Sequence, residues 1–157
     1  MIKIPYHVTD FLFRFFFSLI FIGLGGEHIV DDHLIQKMMP DYLEPKELLS
    51  KLAGVYLLGG GFCILFGLKT RVAALFLALF LLVVTPTVHI YGLVVFPEEI
   101  PKQWDWLWDI FQRSNLVKNL CLLGVCFHLF NHETGKWSLD AWLAERNSKK
   151  SPSTPKP

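Results

Sequence analysis

Apolar residues fall into four long runs separated by short polar breaks. The first, about residues 8–30, places Phe11-Leu12-Phe13 and Phe15-Phe16-Phe17 around a single Arg14 and continues through Ile20-Phe21-Ile22. The second and third, about 48–68 and 72–96, are separated only by Lys69-Thr70-Arg71, so they are expected to pair as an antiparallel hairpin with a tight basic turn. A helix needs about 20 apolar residues to cross the hydrocarbon core of a bilayer. The fourth run, Leu116 to Phe130, reaches that length only if its helix starts near Gln112 and Arg113 and Lys118 snorkel toward the headgroups, giving 112–131. The pattern predicts an all-α integral membrane protein: a four-transmembrane-helix bundle forming one domain over residues 1–147. Residues 148–157 are polar and proline-rich and are expected to be a disordered tail.

The first run competes with a signal peptide, since Gly23 and Gly25 resemble small cleavage-site residues. Arg14 interrupts the apolar stretch, so an uncleaved span is expected. Before the fourth run, Trp104, Leu107, Trp108 and Phe111 recur at helical spacing, with Asp105, Asp109 and Gln112 on other faces. This predicts an extra interfacial helix lying on the outer surface, or an aromatic lid over a pocket. The first loop, Met38-Met39-Pro40-Asp41-Tyr42-Leu43, is expected at the bilayer boundary. Pro86, between Thr85 and Thr87, should kink the third span, with the threonine hydroxyls serving freed carbonyls.

Composition agrees with the pattern. Of 157 residues, 52% are apolar, 15% aromatic and 18% charged, against about a quarter charged in soluble domains. A formal net charge of +1 and the lack of a basic stripe argue against a nucleic-acid partner. The main partner is the lipid bilayer. Cys63, Cys121 and Cys126 all sit in apolar runs and are expected to be buried, inert thiols, with a redox pair as the sharper reading. Lys3, Lys69, Arg71, Lys136, Arg146, Lys149, Lys150 and Lys156 fall on one side of the four-span topology. Lys37, Lys46, Lys102 and Arg113 fall on the other, with Lys51 at its boundary. Both termini are therefore expected in the cytoplasm.

Several short motifs, in order, resemble the DoxX family of small bacterial four-span membrane proteins. They are Arg14 and Gly25-Gly26-Glu27-His28, Leu52-Ala53-Gly54 with Leu58-Gly59-Gly60, and Leu65-Phe66-Gly67-Leu68-Lys69-Thr70-Arg71-Val72-Ala73-Ala74. Thr87-Val88-His89, Lys118-Asn119-Leu120 and Gly135-Lys136-Trp137-Ser138-Leu139-Asp140 follow. The resemblance covers roughly residues 10 to 142. It implies a four-helix bundle in the bacterial inner membrane and a link with membrane redox systems, including quinone-linked oxidoreductases. Related groups act as assembly factors. Many members place Lys where this chain has His28 and Glu where it has Tyr56, so a second-span carboxylate is not carried over.

Ionisable groups at membrane depth are functional candidates. The topology brings Glu27, His28, Tyr56, His89, Lys118 and Asn119 to one side, and three readings follow. In the first they are structural, with Glu27 pairing Lys118 and His89 hydrogen-bonding across the bundle. In the second they line a pocket for a quinone or another small apolar ligand, whose carbonyl His and Tyr can bond. The third is a metal site with His28, Asp32 and His33 as weak candidates, for which no established ligand motif exists. Asp31 and Asp32, at the unfavourable end of a helix dipole, mildly favour an external cation. Arg14 and His128 lie toward the other side as structural polar residues, Arg14 bonding helix carbonyls or snorkelling. No intrinsic cofactor motif is present. An oxidoreductase role would need a redox partner subunit with its own electron carrier. The alternative is a non-catalytic membrane assembly or scaffold protein using its glycine-rich faces. A transporter, requiring a homo-oligomer, is a third reading.

Overall fold

The computed structural model describes residues 3–98 and 100–150, and these are helical, with no strand among them. Helix α1 is Tyr6–Val30, α2 the short His33–Met38 and α3 Lys46–Phe66. Helix α4 is Thr70–Val94, α-helical over Thr70–Val84 and Tyr91–Val94 with a π-helical stretch, Thr85–Ile90, between. Helix α5 is Asp105–Leu129 and α6 is Leu139–Lys150. Three of them, α1, α3 and α4, are long and apolar enough to cross a bilayer. Helix α5 matches α1 and α4 in length at 25 residues, but Asp105, Asp109, Arg113 and Lys118 make its first half too polar for that description.

The core draws on all four long helices: Phe17 and Phe21, Leu57 and Ile64, Ala73, Ala74, Leu77, Ala78 and Leu81, then Cys126 and Leu129. Bulky residues also point outward, among them Phe16, Val55, Val83 and Val117, each more than 60% exposed, as suits faces turned to lipid. Helix α1 packs most closely on α3. There Gly25 and Gly54 face each other so tightly that a Cβ on either would lie 3.0 Å from the other's carbonyl oxygen.

The α3–α4 turn falls at Gly67-Leu68-Lys69, two residues before the expected break. Gly67, at φ +64°, ends α3: its N–H donates to Ile64 O at 3.0 Å and that of Leu68 to Cys63 O at 2.8 Å. The Leu65 carbonyl would be left over by this cap, and Arg14 Nη1 donates to it at 2.7 Å. Arg14, fully buried, also bonds Trp137 O at 2.6 Å through Nη2 and Asp10 Oδ2 at 3.0 Å through Nε. Asp10 in turn accepts from His132 Nε2 at 2.6 Å and Gly135 N–H at 2.9 Å. This network ties α1, the end of α3 and the chain after α5 into one plug. It realises the expected role of Arg14 as a bonder of helix carbonyls.

Four expectations need correction. The Trp segment is not a separate interfacial helix: after one 3-10 turn, Lys102–Trp104, it forms the first turns of α5. Trp108 explains this, since its Nε1 donates to Gly92 O at 2.7 Å and pins the segment against the end of α4. Residues 148–150, assigned to the tail, continue α6, and 151–157 lie outside the described residues. His128 is exposed and bonds nothing in the plug, although its ring lies 6.1 Å from that of His132. Of the cysteines only Cys126 is buried; Cys63 is half-buried and Cys121 faces outward.

Candidate ligand cavity at one end of the bundle

At the end of the bundle away from Arg14, α1 finishes, α3 begins, α4 finishes and α5 begins. The π-helical stretch Thr85–Ile90 includes Pro86, which has no N–H to donate. Thr87 Oγ1 donates to Val83 O at 2.6 Å, so a threonine hydroxyl serves a carbonyl beside the proline, as expected. The other, Thr85 Oγ1, accepts from Asn119 Nδ2 at 3.1 Å and joins α4 to α5. One turn on, His89 Nδ1 lies 2.8 Å from Gln112 Oε1. Because the amide oxygen can only accept, Nδ1 carries the proton in this pair. The expected cross-bundle bond of His89 is thus made.

These polar pairs border a cavity of about 320 Å³. Its walls are mostly apolar: Phe21 and Leu24 of α1, Leu49, Ala53 and Leu57 of α3, Phe80, Leu81 and Val84 of α4, Phe111 and Leu122 of α5. Its polar lining is His28, Ser50, Thr87, His89, Gln112, Asn115, Lys118 and Asn119. His28 Nδ1 is 2.9 Å from Ser50 Oγ, and Lys118 Nζ donates to Asn115 Oδ1. Gln112 is fully buried, and its Nε2 has no hydrogen-bond partner among the described residues. A buried amide N–H left unpaired costs about 1–3 kcal/mol, and this one is packed toward α4, where a Cβ on Gly92 would lie 2.6 Å from it.

The cover is the first loop and not the tryptophans. Ile35, Met38, Met39 and Leu43 line the cavity, and Tyr42 holds the loop down through a bond from its hydroxyl to Thr87 O and an edge-on contact with Tyr91 at 5.0 Å. From the Trp segment only Phe111 and the buried Gln112 reach the cavity, while Trp104 and Trp106 are exposed.

Of the six ligand candidates, His28, His89, Lys118 and Asn119 line the cavity and Glu27 and Tyr56 do not. Glu27 is exposed on the neighbouring face of α1, and Lys118 bonds Asn115 where an ion pair with Glu27 was expected. The Tyr56 hydroxyl donates to Phe76 O at 2.7 Å, tying α3 to α4 outside the cavity. Ser50 and Gln112 are the lining residues that a search for ionisable groups passes over, while Asn115 stands with Lys118 and Asn119 among the polar residues expected at this side.

The weak metal candidates do not assemble. His33 is exposed and His28 bonds Ser50; no group of three or more His, Cys, Asp or Glu converges among the described residues. Asp32 pairs with Lys51 at 3.2 Å, so the cation expected from outside comes from α3. The Gln36 side chain, followed by the Lys51 ammonium, holds the Asp32 carboxyl below the usual carboxylate range. Lys51 also caps the end of α1 by donating to Ile29 O at 3.0 Å.

A family model described as DoxX matches residues 9–90, just over half the chain, running from α1 through the π-helical stretch that carries His89. No curated protein and no solved structure matches the chain.

Proposed function

The chain belongs to the DoxX family, and from that membership and the cavity we propose that it is a four-span component of a membrane redox system that holds a quinone-like or other small apolar ligand. Helix α5 is the fourth span, its charged first turns lying in the headgroup region. The start of α1 and the chain after α5 meet at the Arg14 end, where Tyr6 Oη donates to Glu133 O at 2.6 Å. The basic residues gathered at that end support a cytoplasmic side for it in a bacterial inner membrane, with the cavity at the outer side.

The mostly apolar cavity with His28, His89, Asn115 and Lys118 among its lining carries this reading. A volume of about 320 Å³ lies within the usual range of small-molecule sites. The ring of a quinone would rest on the apolar wall, and its carbonyl would accept from the Lys118 ammonium. A bound quinone supplies two-electron redox chemistry. The residues here orient it, exclude water and keep a proton at His89 Nδ1 through Gln112. The electron donor or acceptor would be a partner subunit carrying flavin, haem or an iron–sulfur centre.

Titration of the nanodisc-reconstituted protein with decylubiquinone, followed by calorimetry, tests the proposal. Saturable binding is expected, weakened about tenfold or more by Lys118→Met, as loss of one hydrogen bond to a charged group of about 1.5–3 kcal/mol implies. Tyr56→Phe should bind as the parent does. Absence of saturable binding, or an unchanged affinity for Lys118→Met, rejects the assignment.

One observation favours the scaffold reading. A Cβ at Gly23, Gly26, Gly59 or Gly124 would meet nothing within 4 Å, so these glycines leave shallow places on the surface where another transmembrane helix can approach. If a partner helix docks there, Gly59→Leu should abolish in-membrane crosslinking to it while leaving decylubiquinone binding intact. Unchanged crosslinking would remove the support Gly59 gives.

A further inference from the structure

Helix α6 presents an apolar face that stays exposed among the described residues. From Trp142 to Lys149 every residue is exposed. Leu139, Trp142, Leu143 and Arg146 stand at helical spacing along one side, with Trp142 52% and Leu143 38% exposed. Trp137, just before the helix, is also exposed. A helix of 12 residues is marginal alone in water, and in proteins such helices persist by packing an apolar face on something.

The start of α6 is fixed where the spans end. Asp140 N–H donates to Gly67 O at 3.1 Å and its carboxylate accepts from Lys69 N–H at 2.8 Å, clamping the first turn to the α3–α4 turn. Trp137 packs edge-on against His7 at 4.8 Å, at the beginning of α1. The apolar side of α6 therefore begins at the level where the long helices leave the hydrocarbon. Charge follows the same plan. Lys136, Arg146, Lys149 and Lys150 outnumber Asp140 and Glu145; Asp140 is already engaged and Glu145 pairs with Lys149 at 2.7 Å, which leaves the balance basic. The Arg146 guanidinium lies over the Trp142 ring at 5.4 Å, a pairing that suits a side chain reaching from an apolar face toward headgroups.

We infer that α6 is a surface helix that binds anionic phospholipid at the Arg14 end of the bundle, its Leu139–Trp142–Leu143 face in the bilayer interface and its basic residues on the headgroups. This rests on membrane insertion of the long helices and is independent of any quinone.

The test uses the full chain with Cys63, Cys121 and Cys126 changed to alanine, and an environment-sensitive fluorophore attached through Leu143→Cys or, on the opposite side of α6, Ser148→Cys. In vesicles of brominated phosphatidylcholine mixed with roughly one-third phosphatidylglycerol, quenching at 143 should exceed that at 148 several-fold and fall at high salt. In phosphatidylcholine alone, or with Arg146, Lys149 and Lys150 changed to glutamate, the difference should shrink. Equal quenching at both positions overturns the inference. So does a difference indifferent to anionic lipid, or one that vanishes as protein is diluted into lipid, since the face would then cover a second copy. Failure of decylubiquinone binding changes none of these readings.

Discussion

Asp10→Ala is expected to lower the thermal midpoint of the detergent-solubilised protein sharply, by the equivalent of about 3–5 kcal/mol, the usual effect of removing one member of a buried ion pair. Arg14 is fully buried and Asp10 only 2% exposed. With Asp10 gone, the guanidinium keeps the Leu65 and Trp137 carbonyls but has no counter-charge, and His132 and Gly135 lose their acceptor. Asp10→Asn should fall between, keeping an acceptor without the charge. Arg14→Lys should not substitute for arginine, because one ammonium cannot reach Asp10, Leu65 and Trp137 in the planar geometry that the guanidinium offers. Asp10→Leu with Arg14→Met should recover part of the loss, since no charge then remains buried, though the two carbonyls still lack donors. Differential scanning fluorimetry of the four variants decides it. A midpoint for Asp10→Ala equal to that of the parent would show that the pair does not hold this end together.

The long helices were legible because a bilayer demands unbroken apolar runs, and such runs stand out in a sequence whatever the tertiary packing. Their ends were less so. The α3–α4 turn is fixed by Gly67 and by Arg14 on the Leu65 carbonyl, a contact across 51 positions that no local pattern announces. For the same reason Arg14 was readable as a bonder of carbonyls, while its partners Asp10, His132 and Gly135 were not.

At the cavity, periodicity held more than a search for charge extracted. Phe21, Leu24 and His28 recur at helical spacing along one face of α1, and Ser50, Ala53 and Leu57 along one face of α3. Glu27 and Tyr56 fall about 100° away from their neighbours His28 and Leu57, which is why neither reaches the cavity. Gln112 reads only as a span boundary and a polar-face residue, not as a cavity wall, because it is neutral and sits in a segment whose tryptophans suggest a helix lying on the membrane surface. The wall-forming role of that segment depends on Trp108 reaching Gly92, a match between two helices that neither helix encodes alone.

Gly25→Val should damage fold and cavity together, which separates it from changes at the Asp10 plug. A Cβ at position 25 would lie 2.9 Å from Leu58 N and 3.0 Å from Gly54 O, both backbone atoms that cannot withdraw without moving α3. Overpacking of this kind costs about 1–3 kcal/mol. The separation it forces has a second consequence. His28 and Ser50 bridge α1 to α3 at 2.9 Å one turn from the contact, and a Cβ at Gly54 would itself lie 2.8 Å from His28 Cβ. Widening the seam breaks the His28–Ser50 bond and opens the cavity wall between those helices. The expected result is a lower thermal midpoint together with loss of decylubiquinone binding. Gly59→Ala, on the same helix α3, should leave binding intact and raise the midpoint slightly, because its Cβ meets nothing and alanine favours the helix by about 1 kcal/mol. Fluorimetry and calorimetry on the two variants make the comparison. If Gly25→Val melts and binds like the parent, α1 and α3 are not in contact at Gly25 and the cavity does not depend on their seam.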